Sequence, residues 1–281
     1  MLTIRRKTRK RRRPSDLTER TDEMIRKSIL AALVALGLGA TGVMAQEGEV
    51  TDYSFSFEGP FGTYDKAQLQ RGLQVFTEVC AACHGVSQLY FRNLSDPGGP
   101  ELTIDQVKAY AKEIEVYDKE LDDTRPAKPS DQFPPNTDAG APDLSLMAKA
   151  RAGFHGPMGL GINQLLKGMG GPEYIASILT GFTGETKEEG GSTFYENKTF
   201  PSGWMKMPPP LEDGLVEYAD GSPNDVVSMA KDVSAFLMWV AEPKMTVRKK
   251  TGFVVIAFLV LLTSLLYLTN KKLWAGPKRK G

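Results

Sequence analysis

Cys80-Ala81-Ala82-Cys83-His84 sets two thiols two residues apart, with an imidazole directly after them. These are the chain's only two cysteines and one of its two histidines. The spacing serves covalent attachment of a c-type haem. Each thiol can add across one vinyl group to make a thioether, and His84 can then offer a ring nitrogen to the iron. A redox-active dithiol shares the first four residues, but needs a strand–helix–strand setting that the flanks do not provide. A zinc site would need a fourth ligand, and no further cysteine is present to give it.

An electron-transfer haem usually has a second axial ligand, often methionine. Met147, Met158, Met169, Met205 and Met207 all lie after the motif and before the last helix of the body. Met207 is followed by Pro208, Pro209 and Pro210, which fix the backbone and remove N–H groups that an apolar pocket could not satisfy. Met205 competes with it. The second histidine, His155, leaves a bis-histidine haem open, although a loop histidine is the plainer reading.

The elements that must position these groups are helical. Asp65 is placed to cap a segment running from Lys66 to about Val79, with Leu69, Leu73 and Phe76 as its apolar stripe. Gly72 sits beside the stripe, where a second helix could approach closely. A terminal helix is expected over 224–241, capped by Asn224 and stopped by Pro243. Its apolar face holds Val226, Met229, Val233, Phe236, Leu237 and Val240. Residues 92–145 and 183–202 read as loop-rich insertions, the first marked by Pro126, Pro129, Pro134 and Pro135. The fold class is therefore mainly α: a haem domain with loop-rich insertions and one C-terminal transmembrane helix.

The net charge of +1 hides a segregation. Residues 46–243 hold 30 acidic and 15 basic side chains, a net of −15, while 1–45 and 244–281 together carry +16. An acidic body excludes nucleic acid as its partner, since that needs a basic face. The basic ends belong to membrane segments. Residues 24–45 follow the plan of a secretory signal peptide: Arg26 and Lys27, an apolar run over 29–38, then small residues up to a cut after Ala45. Met24 begins that signal by itself, so 1–23 read as an over-long start. The uncharged stretch 252–268, extended by threonines to 251–269, is long enough to cross a bilayer. Lysines and arginines flank it on both sides, with Tyr267 and Trp274 as interfacial aromatics. The expected organisation is an extension and cleaved signal over 1–45, a periplasmic haem domain over 46–243, and an anchor with a short cytoplasmic tail over 244–281.

Several stretches together resemble the cytochrome c1 family of the bacterial cytochrome bc1 complex over nearly all of 53–275. They include FSFEGPFG at 55–62, LQRGLQVFTEVCAACHG at 69–85, PDLSLMAKARAGF at 142–154 and NQLLKGMGGPEYIASILTGF at 163–182. GWMKMPPPL at 203–211, FLMWVAEPK at 236–244 and LYLTNKKLWA at 266–275 complete them. The resemblance implies one covalent haem c with His84 and Met207 as iron ligands. It also implies that Arg151 and Tyr174 approach the haem propionates and that Pro142 lines the pocket. Some bacterial relatives carry an extra disulfide in the insertion before the Met ligand. This chain has no cysteines for it, so any rigidity there must come from packing.

The resemblance implies a single-electron relay in an inner-membrane, proton-translocating quinol–cytochrome c reductase. The electron passes from a Rieske iron–sulfur protein, through the haem, to a soluble or anchored cytochrome c. Cytochrome b is the further partner, and the complex is expected to be dimeric. The subunit is expected to be no enzyme by itself. A net of −15 suits a basic acceptor cytochrome. Glu113 to Asp123 supplies six acids in eleven residues, and Glu185, Glu188, Glu189 and Glu196 a second group. Two other classes compete: a membrane-tethered c-type carrier outside any complex, which needs a flexible linker before the anchor, and a haem peroxidase, which needs an open iron position.

Overall fold

The Asp65 carboxylate accepts from the Gln68 N–H at 2.9 Å and so starts the first helix of the body, α1, Lys66–Glu78. The computed structural model describes residues 48–136, 140–151, 168 and 170–276, all within the unit Glu47–Gly281. The signal-peptide reading, His155, Met158 and Met169 lie outside the described residues. After α1 come 3-10 turns at Cys80–Ala82 and Phe91–Ser95, then α2 (Ile104–Lys112), β1 (Glu115–Asp118) and β2 (Asp123–Pro126). Helices α3 (Met147–Ala150) and α4 (Gly171–Thr180) precede β3 (Phe182–Glu189), β4 (Ser192–Asn197) and β5 (Trp204–Met205). The chain ends in α5 (Val226–Ala241) and α6 (Met245–Leu273).

Helices α1 and α5 cross at Gly72. A Cβ on Gly72 would stand 2.1 Å from the Asp232 carbonyl oxygen, so only glycine allows this approach. Around the crossing, the Phe76 and Phe236 rings lie 5.7 Å apart and Trp239 continues the stack at 5.8 Å from Phe236. A charged pair lies beside them: the half-buried Arg71 donates from Nε to the buried Asp232 Oδ2 at 2.8 Å, and Gln68 Nε2 donates to Oδ1 at 3.2 Å. The expected apolar face of α5 is buried, apart from the half-buried Val226, and burial extends well beyond it to Asp232, Ser234 and Trp239. The cap differs from expectation. Asp225, not Asn224, accepts from the Val227 and Ser228 N–H groups, and Asn224 instead donates to the Val216 carbonyl at 3.0 Å.

The two insertions are not merely loops. The first holds α2 and an antiparallel β1–β2 hairpin, and the second forms most of an antiparallel sheet in the order β3-β4-β5. Strand alternation is muted because neither face of these strands is deeply buried, and a period of two shows only where one face meets the core. Gly190 and Gly191, at φ of 61° and 75°, supply the left-handed turn joining β3 to β4. The fold is mainly α with these two small sheets.

Helix α6 is long and apolar enough to cross a membrane. It runs beyond the expected 251–269 at both ends because the basic turns on either side stay helical. Its junction with the body is tightly held. Glu242 accepts from Lys149 Nζ at 2.7 Å and from Arg248 Nε at 2.5 Å. The Tyr64 hydroxyl bridges the Met238 and Glu242 carbonyls at 3.2 and 3.1 Å.

Candidate haem-attachment site

The Cys80–Ala82 turn brings the motif into one coil of chain. The Cys83 N–H and the His84 N–H both donate to the Cys80 carbonyl, at 3.1 and 2.8 Å. Cys80 is half-buried and Cys83 exposed. Burial pushes the Cys80 thiol up to about 12, with Cys83 adding to the shift. An uncharged sulfur therefore suits this position.

Two segments clamp the turn from outside. Asn136 Nδ2 donates to the carbonyls of Ala81 and Ala82 at 3.2 and 3.0 Å. A Cβ on Gly85 would meet the Pro134 carbonyl oxygen at 3.0 Å and the Asn136 nitrogen at 2.9 Å, so the proline-rich strip lies directly against the motif. On the other side, the Leu144 N–H donates to the Gly85 carbonyl at 2.8 Å. Asp143 accepts from the Ser87 N–H at 2.9 Å and the Ser145 N–H at 2.8 Å. Burial raises the Asp143 carboxyl, but hydrogen bonds from Ser145 and Ser87 outweigh it and leave it below the usual range.

His84 Nδ1 lies 2.8 Å from the Pro142 carbonyl oxygen. A carbonyl can only accept, so Nδ1 carries a proton, and in the neutral ring that tautomer leaves the Nε2 lone pair free. A bond of this kind fixes the plane of the ring and the direction in which Nε2 points. Pro142 thus serves through its backbone oxygen. Two thiols on one turn, with an imidazole held in the ligating tautomer beside them, fit a covalent haem.

Arg151 lies near enough to Tyr174 for its charge to act on the phenol. Burial pushes the half-buried Tyr174 phenol up, and the Arg151 guanidinium pulls against that shift. They are neighbours because α3 and α4 pack without a gap: a Cβ on Gly171 would stand 1.7 Å from the Ala148 carbonyl oxygen and 3.0 Å from that of Arg151. Met207 is half-buried, two residues beyond β5, which pairs with β4 through Tyr195–Met205 and Glu196–Trp204. Met205 is taken up in that strand, whereas Met207 follows it, directly before the three prolines. Met147 opens α3.

Sequence reading missed Asn136 and Asp143 as supports of the motif. Nothing local marks their hold on the motif: the Ala81, Ala82 and Ser87 groups they bind lie more than fifty residues away, and only the chain path brings the pairs together.

The family model described as the Cytochrome C1 family matches residues 55–276. The chain belongs to the cytochrome c1 family. It is 56% identical over 280 residues to cytochrome c1 of Cereibacter sphaeroides, covering 92% of this chain and 98% of that one. It is 48% identical over 276 residues to cytochrome c1 of Rhodobacter capsulatus, covering 90% and 99%. A longer relative, cytochrome b/c1 of Bradyrhizobium diazoefficiens, is 42% identical over 276 residues, which span 88% of this chain and 40% of that protein. As a cytochrome c1 the chain is the electron-transfer subunit of the cytochrome bc1 oxidoreductase complex and carries covalently bound haem c.

Proposed function

We propose that Cys80 and Cys83 would hold the haem through two thioethers, and that His84 Nε2 and the Met207 thioether would be the protein's ligands to its iron. The observation that carries this reading is the 2.8 Å bond from His84 Nδ1 to the Pro142 carbonyl, which leaves Nε2 free to ligate. When bound, the haem supplies a one-electron iron couple. No base or nucleophile is required of the protein, whose work is to position and tune that couple. The Asn136 and Leu144 bonds hold the attachment turn still. Arg151 offers a fixed cation with fork geometry to a propionate, and Tyr174 a hydroxyl beside it.

The electron arrives from a Rieske iron–sulfur protein and leaves for a basic soluble or membrane-anchored cytochrome c, with cytochrome b as the membrane partner and a dimeric complex around them. The fused name of the Bradyrhizobium relative supports the cytochrome b association. Residues 1–45 are removed on export, 46–243 stand in the periplasm, and α6 crosses the inner membrane with its C-terminus in the cytoplasm. The Glu242 clamp to Lys149 and Arg248 supports a body held against its anchor, not one swinging on a linker.

The test is extraction with acidic acetone after denaturation. Pigment should stay with the polypeptide; pigment in the solvent refutes thioether attachment. Met207→Leu should lower the reduction potential and open the reduced iron to carbon monoxide, and an unchanged spectrum rejects Met207 as ligand.

A further inference from the structure

The turn at 57–62 meets α6 where the helix becomes apolar. Phe55 and Phe57 root it in the core, their rings stacked at 5.0 Å and both side chains buried. The turn then doubles back at Gly59, which has a φ of 65°, and at Gly62, where a Cβ would stand 2.0 Å from the Glu58 carbonyl oxygen. Phe61 is thrown outward and is 81% exposed. Its one ring partner among the described residues is Phe253, stacked at 4.7 Å with the planes 2° apart. Phe253 is the second residue of the uncharged stretch 252–268, so Phe61 lies level with the first turn of the membrane-crossing segment.

A second observation points the same way. Lys249, one helical turn before Phe253, donates its ammonium to three carbonyls of this turn: Phe57 at 2.6 Å, Gly59 at 2.7 Å and Gly62 at 3.4 Å. An ammonium has three donors, and all three are spent on backbone oxygens. In water such carbonyls need no help. At the edge of hydrocarbon, irregular backbone is tolerated only when its polar groups are satisfied within the protein. The exposed aromatic ring and the three carbonyls satisfied by Lys249 together describe a turn built to sit against lipid.

We propose that the 57–62 turn is a second membrane contact of the haem domain, with Phe61 inserted beside Phe253 into the bilayer leaflet facing the body. Aromatic side chains favour that depth. A lone helix can tilt in the bilayer and carry the body with it; a second point of insertion fixes the body's orientation to the membrane plane. The occupant of this surface is phospholipid. The inference rests on α6 as a membrane span and is independent of the haem ligands.

The full chain, with haem attached, is placed in phosphatidylcholine vesicles with Phe61 replaced by the photoreactive p-benzoylphenylalanine. Matching replacements of Val255, exposed within the span, and Tyr117, on the β1–β2 hairpin, serve as controls. Irradiation should add the mass of one phospholipid to the chain labelled at 61, with a yield comparable to that at 255, and none at 117. Adduct at 255 but not at 61 overturns the inference, as does an adduct at 61 to a second polypeptide. Absence of lipid adduct at both 61 and 255 overturns the span itself and the inference with it. Phe61→Trp gives an independent readout: brominated acyl chains should quench its fluorescence beyond the quenching of the unsubstituted chain, and equal quenching overturns the insertion.

Discussion

Replacing Gly72 with alanine probes how α1 and α5 close the domain. The added Cβ would stand 2.1 Å from the Asp232 carbonyl oxygen and 2.7 Å from both the Asp232 carbonyl carbon and the Phe236 Cβ. Two of these atoms are helix backbone and the third is the first atom of a side chain, so no rotamer change relieves the clash. Helix α1 must retreat by about 1 Å to restore ordinary contact. That retreat loosens the Phe76–Phe236 pair at 5.7 Å and stretches the Arg71–Asp232 bond from 2.8 Å. Alanine gains about 1 kcal/mol of helix propensity over glycine. Overpacking of a tight core costs about 1–3 kcal/mol, and backbone clashes lie at or beyond the upper end. A net loss of about 2 kcal/mol is expected, or roughly 4–8 °C in Tm for a domain of this size. The assay is thermal unfolding of the full holoprotein in detergent, followed by far-ultraviolet circular dichroism. Gly252→Ala, within α6 and with no atom within 4 Å, is the control and should hold or raise Tm, because only helix propensity changes there. A Tm for Gly72→Ala equal to or above the parent's would refute the close crossing, because helix propensity alone would then decide.

Other perturbations follow from the same contacts. Asn197 is fully buried; it donates to the Ile178 carbonyl at 2.7 Å and accepts from the Thr199 and Phe200 N–H groups at 3.0 and 3.2 Å. Asn197→Ala should cost about 3 kcal/mol in chemical unfolding, since each buried group left unpaired costs about 1–3 kcal/mol, and a loss under about 1 kcal/mol would contradict the network. Burial raises the Glu242 carboxyl, but hydrogen bonds from Arg248 and Lys149 outweigh this and hold it below its ordinary value of 4.5. A depressed carboxylate stabilises the folded state above 4.5 and loses that contribution as pH falls through its folded value. Glu242→Gln should therefore lower stability at neutral pH and flatten its decline in acid; an acid limb of unchanged slope would rule out Glu242 as a contributor. Association of the reduced protein with a basic cytochrome c should slow steeply as salt rises, by stopped-flow absorbance, and a flat dependence would exclude steering by the acidic body.

The cofactor class and the long apolar helix were legible in the residues themselves. A thiol pair followed by histidine fixes the cofactor class by spacing alone, and an uncharged run with basic flanks fixes a membrane helix by length. The Asp65 cap and the Leu69, Leu73 and Phe76 stripe were readable because capping and helical periodicity are local. Local ambiguity misled at Asn224 and Asp225, where either side chain can cap and only the Val216 carbonyl decides which one does. The two small sheets stayed hidden because strands without a buried face carry little alternation. What only the tertiary structure decided is how distant groups meet: the Pro142 carbonyl selecting the His84 tautomer, Asn136 tying down the attachment turn, and Lys249 filling a ring of carbonyls nearly two hundred residues earlier. Each is a single hydrogen bond, or a small set of them, across a long chain separation. Such a bond leaves no periodic trace in the sequence, because its partners are chosen by the folded path and not by their neighbours.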